Sequence, residues 1–230
     1  MQPDLEVVQI GRGQSFKAWE HGYPFHTVRW HFHPEMEVHH VVATSGHYYI
    51  GDFIGDFEPG NLVLTGPNLP HNWVSHVAEG TVVPLRNRVL QFPEALLHRI
   101  AELFPETGGF SALFDLSRRG ALFSPSCTEK VAPILAELIE AKGPHRASLF
   151  LELLAHLSAD SGAKALASDT YLPDPSGFMT AGVNKALSYI NDNLTEAFGE
   201  ADLAATAGMT ASAFSRSFRR HTGMGVVEYV

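Results

Sequence analysis

From Tyr23 to about Phe92, apolar and polar positions alternate in short runs: PFHTVRWHF, MEVHHVVA, HYYIGDF, NLVLTG, NWVSHV and TVVPLRNRVLQF. A period of two sends successive side chains to opposite faces of a strand. Turn residues such as Ser45-Gly46, Pro59-Gly60 and Gly66-Pro67-Asn68 separate the runs, and several short strands at this spacing predict a sandwich or barrel. The period changes at Pro93. PEALLHRIAELF, TEKVAPILAELIEA and PHRASLFLELLAHLSA carry apolar residues at helical spacing, as in Leu149, Leu153 and Leu157. Pro93 and Pro144 stand where first helical turns would begin. Segment 161–178, SGAKALASDTYLPDPSGF, has no clear period and reads as a linker. Beyond it, helical segments are predicted at about 180–193, 200–207 and 211–221. Leu187, Ile190, Leu194, Leu203, Ala204, Ala207, Phe214, Phe218 and Tyr229 are placed to share one small core. The expected class is α+β: a barrel with supporting helices over 1–160, a linker over 161–178 and an all-α unit over 179–230.

With 230 residues, 45% of them hydrophobic, the chain can bury a sizeable core, which excludes wholesale disorder. No apolar run approaches the roughly 18–20 residues needed to span a bilayer. The N-terminus MQPDLEVVQIGRGQ lacks a basic start followed by a greasy stretch, and the one cysteine, Cys127, has no internal partner. A cytoplasmic protein with no membrane partner is expected. The net charge of −9 argues against nonspecific coating of nucleic acid or anionic lipid. Its distribution says more. Residues 180–230 are nearly balanced, with Arg216, Arg219 and Arg220 packed together, and nine of the 13 histidines fall between His21 and His76.

Between the last two predicted helices lies Ala207-Gly208-Met209-Thr210. Gly208 permits the positive φ of a tight turn, and Thr210 can cap the next helix by accepting a backbone N–H bond. This is a helix-turn-helix pattern. With Phe214 and Phe218 inward at an i, i+4 spacing, Ser212, Ser215, Arg216 and Arg219 fall on the opposite side. Arg216 suits a bidentate contact to a guanine edge; Arg219 and Arg220 suit phosphates. The alternative is an ordinary surface helix with a few arginines. The wording ALSYINDNLTEAFGEADLAATAGMTASAFSRSFRRHTGMGVVEYV closely resembles the first half of the DNA-binding region of AraC/XylS-type transcription regulators, from Ala186 to Val230. In that family a second such motif follows a linking helix. The resemblance therefore implies a DNA partner and a shortened reader, with weak binding from one motif alone.

The densest chemistry is Trp30-His31-Phe32-His33-Pro34-Glu35-Met36-Glu37, followed by Pro70-His71-Asn72-Trp73. His31 and His33 share one side of a strand, with Glu37 nearby and His71 placed to close the set. Imidazoles with a carboxylate suit a borderline divalent ion such as Zn, Ni, Mn or Fe, open positions being left for water or ligand. The arrangement HxHxxxE, then PG, then a distant histidine is similar to the cupin β-barrel signature, although Glu37 to Gly46 is a longer interval than the common pattern. WHFHPEMEVHHVV…YIGDF…EPGNLVLTGPNLPHNW also resembles the sensor domain of AraC-type regulators, which implies that these residues line a barrel interior. Three readings stay open: a metal held by His31, His33, Glu37 and His71, a metal-free effector pocket of Trp30, His31, His33, Glu35, Glu37, His71 and Trp73, or polar groups that satisfy one another in a purely structural role. His39, His40, His47 and His76 are expected at the barrel surface or rim. No nucleophile constellation and no phosphate-cradling glycine loop is seen.

The combined expectation is a ligand-responsive transcription regulator, not an enzyme. A cupin-like barrel senses a small polar molecule, a sugar being the family-typical guess, and the helix-turn-helix reads promoter half-sites through Thr210, Ser212, Ser215, Arg216, Arg219 and Arg220. A homodimer formed through the broad apolar faces of helices 127–141 and 145–159 is also expected. The rival is a metal-dependent cupin oxygenase or isomerase with a helical tail.

Overall fold

The computed structural model describes residues 3–25, 29–171, 181–193, 198–222 and 224–229. Alternation along β4 (Met36–Val41) decides how the first sheet is used, because Glu37, His39 and Val41 face one way and Met36 and Val38 the other. β4 lies inside a six-stranded sheet between β7 (Leu62–Thr65) and β9 (Val83–Phe92). β2 (Lys17–Tyr23) pairs with β9 at one edge, and β10 (Ala121–Leu122) and β11 (Lys164–Ala165) extend the other. Antiparallel register sets Glu37 opposite Thr65 and Gln91, His39 opposite Val63 and Val89, and Trp19 opposite Val89. These residues share one face. The other face carries Met36, Val38, Leu62, Leu64, Leu90 and Phe92, and the helices cover it.

The second sheet runs in the order β1 (Asp4–Leu5), β3 (His31–Phe32), β8 (His71–Ser75), β5 (Gly46–Ile50), β6 (Phe53–Phe57). β1 joins β3 in parallel; the remaining pairs are antiparallel. Tyr48, Ile50, Phe57 and Trp73 from this sheet meet Val41 and Val63 from the first, which closes the apolar part of the interior.

Four helices follow: α1 (Glu94–Leu103), α2 (Phe110–Ser117), α3 (Pro125–Glu140) and α4 (Gly143–Ser158). Ser124 Oγ accepts from Cys127 N at 3.2 Å and caps α3, with Pro125 opening its first turn. Val131, Leu135 and Leu138 of α3 and Leu149, Leu153 and Leu157 of α4 bury against the sheet and each other, each worth roughly 1.5–3 kcal/mol of transfer free energy. The apolar faces expected to form a dimer surface are thus consumed within the chain's own core.

Two boundaries differ from expectation. The β region begins at β1 and β2 rather than at Tyr23, because the inner positions of β2 are Trp19 and His21, whose polarity conceals the alternation. The expected linker 161–178 starts late: β11 pairs with β10, Ala167 is buried, and Arg119 donates twice to Ala167 O at 2.9 and 2.7 Å. Residues 172–178 lie outside the described residues.

The C-terminal helices are α5 (Ala181–Asp192), α6 (Glu200–Thr206), α7 (Ala211–Thr222) and α8 (Val226–Tyr229). Gly208, at φ +66°, makes the turn between α6 and α7. Leu187, Ile190, Leu203, Ala204, Phe214 and Phe218 form their core, with Ala207 and Tyr229 at its edge; Leu194 lies outside the described residues. Two members come from elsewhere. Phe32 of β3 is buried in this core and Leu5 of β1 packs against it, which no local pattern predicted.

Candidate functional site in the barrel

His31 and His71 are direct cross-strand partners, with ring centroids 4.3 Å apart. His33, two positions along, returns to the same side with its ring 5.0 Å from His71. Glu37 arrives from the facing sheet, its Oε2 3.1 Å from His33 Nε2 and its Oε1 3.7 Å from His71 Nε2. The four residues named from spacing are therefore brought together. Glu6, which follows β1, joins them: its Oε2 stands 2.9 Å from His31 Nε2.

Backbone carbonyls orient all three imidazoles. His31 Nδ1 lies 2.7 Å from Arg29 O, His33 Nδ1 3.1 Å from Glu35 O and His71 Nδ1 2.8 Å from Leu69 O. A carbonyl only accepts, so each Nδ1 carries a proton and each Nε2 is the ring atom turned toward the cluster. Metal-bound imidazoles take that orientation, and a cation would displace the proton that His33 Nε2 donates to Glu37. The ligand atoms of His31, His33 and His71 lie within 4.8 Å of one another, as do those of Glu6, His33 and Glu37. Ligands about 2.1 Å from a tetrahedral ion stand about 3.4 Å apart, so ring movements of about an ångström close the shell. His71 Nε2, fully buried, makes no hydrogen bond among the described residues. An orphaned lone pair beside a carboxylate fits a cation.

The charges agree. Burial pushes the Glu37 carboxyl up, but the hydrogen bond from His33 and the charges of His71, His33 and His39 hold it well below the usual carboxylate range. Burial pulls the His33 imidazole down, yet the hydrogen bond and charge of Glu37 raise it to about 9. His71 is pushed down to about 3 by burial and by the neighbouring His31 charge. Gln91 Nε2 donates to Glu37 Oε2 at 2.9 Å, and Trp19 Nε1 donates to Gln91 Oε1 at 3.1 Å, which fixes the carboxylate from behind.

Through Glu6, His31 and Glu37 the cluster opens onto a cavity of about 50 Å³ that also meets Trp19, His21, Phe25, His39, Arg86 and Asn87, whereas His33 and His71, expected in the pocket, are not among its lining residues. Several expectations need correction. Trp30 does not line this cavity; it is half-buried, and its carbonyl accepts from Asp4 N at 3.0 Å. Glu35 does not line it either, being buried behind His33 with Oε2 3.7 Å from Nδ1. Trp73 does, stacked on His39 at 3.8 Å. His39 and His40 are not at the rim but 5% exposed, whereas His47 and His76 lie outside. Glu6, Arg86 and Gln91 escaped the sequence reading altogether. The inner face of these strands is polar, so hydrophobic alternation gives no sign of which residues point in.

His40 makes the fold acid-sensitive. Burial, with Arg88 beside it, pushes its imidazole down to about 4, so the unfolded chain binds the proton more readily. The stability is complete above the unfolded value of about 6.5 and is lost as pH falls, by about 2 kcal/mol at pH 5 for this residue. Urea midpoints are expected to drop between pH 7 and 5, and to drop less in His40→Gln. An equal drop in both proteins would refute the assignment.

On α7, Ser212, Ser215, Arg216, Arg219 and Arg220 are exposed, while Phe214, Ser217 and Phe218 are buried. Thr210, also exposed, accepts from Ala213 N at 3.3 Å and so caps the helix. The six candidate DNA-facing residues thus lie on accessible surface.

Residues 15–172 match the family model for the AraC-like ligand binding domain. No curated protein matches the sequence. Among solved structures the chain is similar to the AraC-like transcriptional activator CuxR, at 13% identity and a TM-score of 0.45, over 92% of this chain and 70% of that one. It is also similar to an apo variant of ToxT from Vibrio cholerae strain SCE256, at 9% identity and a TM-score of 0.44, over 95% and 97%. No helix among the described residues is long and apolar enough to cross a membrane.

Proposed function

The chain belongs to the family of AraC-like ligand binding domains, and on that premise we propose that it is a ligand-responsive transcription regulator. The barrel binds a small polar effector, and α6, its turn and α7 act as a helix-turn-helix on DNA. His31, His33, His71 and Glu37 hold a divalent ion, with Glu6 at the edge of the shell. Such an ion supplies Lewis acidity and a coordination position for the effector. The protein's own part is to orient the rings through Arg29, Glu35 and Leu69 carbonyls and to keep Glu37 ionised.

One observation carries the reading. Along β3 the cluster residues His31 and His33 flank Phe32, and Phe32 is 1% exposed within the core of the C-terminal helices. Side chains one residue apart on a strand point to opposite faces. A shift of the two histidines on ligand binding therefore displaces the ring that the helices are packed on. β1 repeats the arrangement, with Glu6 on His31 and Leu5 against the helices. Gln9 extends it by donating to Glu228 O at 3.3 Å. The effector changes DNA affinity only if it favours one docking arrangement over another, and these strands are where that difference arises.

On DNA, Arg216 reads a base edge, while Arg219 and Arg220 hold phosphates. The test is selection of bound sequences from a random duplex pool with the full chain, then affinity measured on the enriched site at fixed salt. Arg216→Ala is expected to lose about 1–3 kcal/mol and to relax preference at one position. Arg219→Ala is expected to weaken all sequences alike and to lower the salt slope by about 1. An unenriched pool, or an Arg216→Ala protein with unchanged affinity and preference, would overturn the DNA-reading role.

A further inference from the structure

The part of the cavity formed by Arg86 and Asn87 carries a different chemistry. Arg86 of β9 is 2% exposed, yet no carboxylate pairs with it among the described residues. Its guanidinium is held by neutral acceptors: Nε donates to Ser75 Oγ at 2.7 Å and Nη2 to Trp73 O at 2.8 Å. With the Asn87 amide turned oxygen-first, Nη1 donates to it at 3.1 Å. The Tyr23 ring lies 5.9 Å from the guanidinium carbon. These contacts fix the group in place without neutralising it. An ion removed from water without a counter-charge costs several kcal/mol, and retaining one here is explained by an anion that arrives with the ligand.

The surroundings narrow the ligand's class. His21 and His39 line the cavity beside Arg86, and that guanidinium is the one permanently cationic group among the lining residues. Glu6 and Glu37 line the same cavity and would repel a dianion such as phosphate. The walls are flat and aromatic, with Trp73 stacked on His39 at 3.8 Å and His21 stacked on Phe25 at 4.1 Å. A bare inorganic anion would engage the guanidinium but not the aromatic lining. One negative charge on a small apolar body satisfies both ends.

We propose that Arg86 forms an anion subsite and that the effector is a small organic monocarboxylate, its carboxylate on the guanidinium and its body between the aromatic walls. This rests on the barrel being the effector pocket and goes further, by naming what the pocket selects. Planar guanidinium and carboxylate match as a two-pronged pair, which gives orientation as well as affinity.

The test uses the full chain with acetate, propanoate and benzoate, each set against its neutral amide. Calorimetric titration is run on chelated and on zinc-loaded protein, so that binding through a metal is separated from binding at Arg86. At least one carboxylate is expected to bind in both forms at least tenfold more tightly than its amide. Arg86→Gln is expected to lose that preference, and Arg86→Lys to keep part of it. Because Arg86→Gln removes an uncompensated buried charge, it should remain folded by circular dichroism. The proposal is overturned if the amides bind as well as the acids, if Arg86→Gln keeps the preference, or if no carboxylate binds. The failures are separable. A carboxylate that binds at Arg86 yet leaves DNA affinity unchanged supports the subsite while removing the regulator reading. DNA affinity that responds only to neutral ligands removes the subsite and leaves the regulator.

Discussion

Equilibrated with free zinc at about ten times its Kd, the intact chain is expected to hold close to stoichiometric metal, and His71→Ala about a tenth as much. The three imidazoles are already oriented with Nε2 toward the cluster, each pinned at Nδ1 by a backbone carbonyl, and the ion has to displace the proton that His33 shares with Glu37. Glu37 is held ionised 3.1 Å from His33 Nε2. Little ordering cost is left for the ion to meet. Loss of a directly bound ring should weaken binding by at least about 100-fold, since even residues that only support metal ligands cost 10–100-fold. Linkage turns this into stability: an ion at a thousand times its Kd adds about 4 kcal/mol, and the same ion bound 100-fold more weakly adds about 1.4. Elemental analysis gives the first readout and the melting shift on adding zinc the second. Arg86→Gln, altered in the cavity but outside the cluster, should keep its metal. Metal-free wild type that is folded and insensitive to added zinc would make the cluster a hydrogen-bonding surface only.

The second large effect is expected from Phe32→Ala. The ring is 1% exposed and sits among Val183, Ala186, Leu187 and Phe218. Truncating a buried phenylalanine costs about 3–5 kcal/mol when the site cannot collapse. Here the loss should fall on the helical unit and its docking, not on the barrel, whose own core of Val38, Leu90 and Leu153 does not contain Phe32. A single thermal transition in wild type should therefore become two, the upper one unchanged by the substitution. Zinc or chelator should alter DNA affinity in wild type and leave it unaltered in Phe32→Ala. If the metal-dependent difference survives with the ring gone, β3 is not the lever and coupling passes elsewhere, as where α1 packs against α5.

Much of the architecture follows from one-dimensional pattern. The α3 and α4 stripes, the glycine turn at Gly208, the capping Thr210 and the outward row on α7 are local, since each depends on residues three or four apart. The grouping of His31, His33, Glu37 and His71 was also legible, because a strand's period of two forces His31 and His33 together and a dense histidine–carboxylate run is rare. Glu35 differs from expectation because Pro34 interrupts the strand, so counting positions across it does not preserve the face. Trp30, one residue before His31, falls on the opposite face by the same period of two.

His39, Arg86, Gln91 and Glu6 show where pattern fails. Their strands point polar groups inward, and a buried polar face looks the same in sequence as a solvated one. Only register across β2, β9, β4 and β7 reveals which side is enclosed. Phe32 is the sharper case. As one apolar residue between two histidines it reads as barrel core, yet it belongs to a core assembled from helices about 150 residues later.

The sequence by itself determined the elements, the histidine–carboxylate grouping and the accessible arginines of α7, because helix and strand periodicity act over a few residues. The tertiary structure alone decided that Glu6 joins the cluster, that Arg86 is buried with no carboxylate paired to it among the described residues and that Phe32 joins the two units. Those three facts depend on which surfaces lose water against one another, and desolvation is set by contacts between segments far apart in the chain.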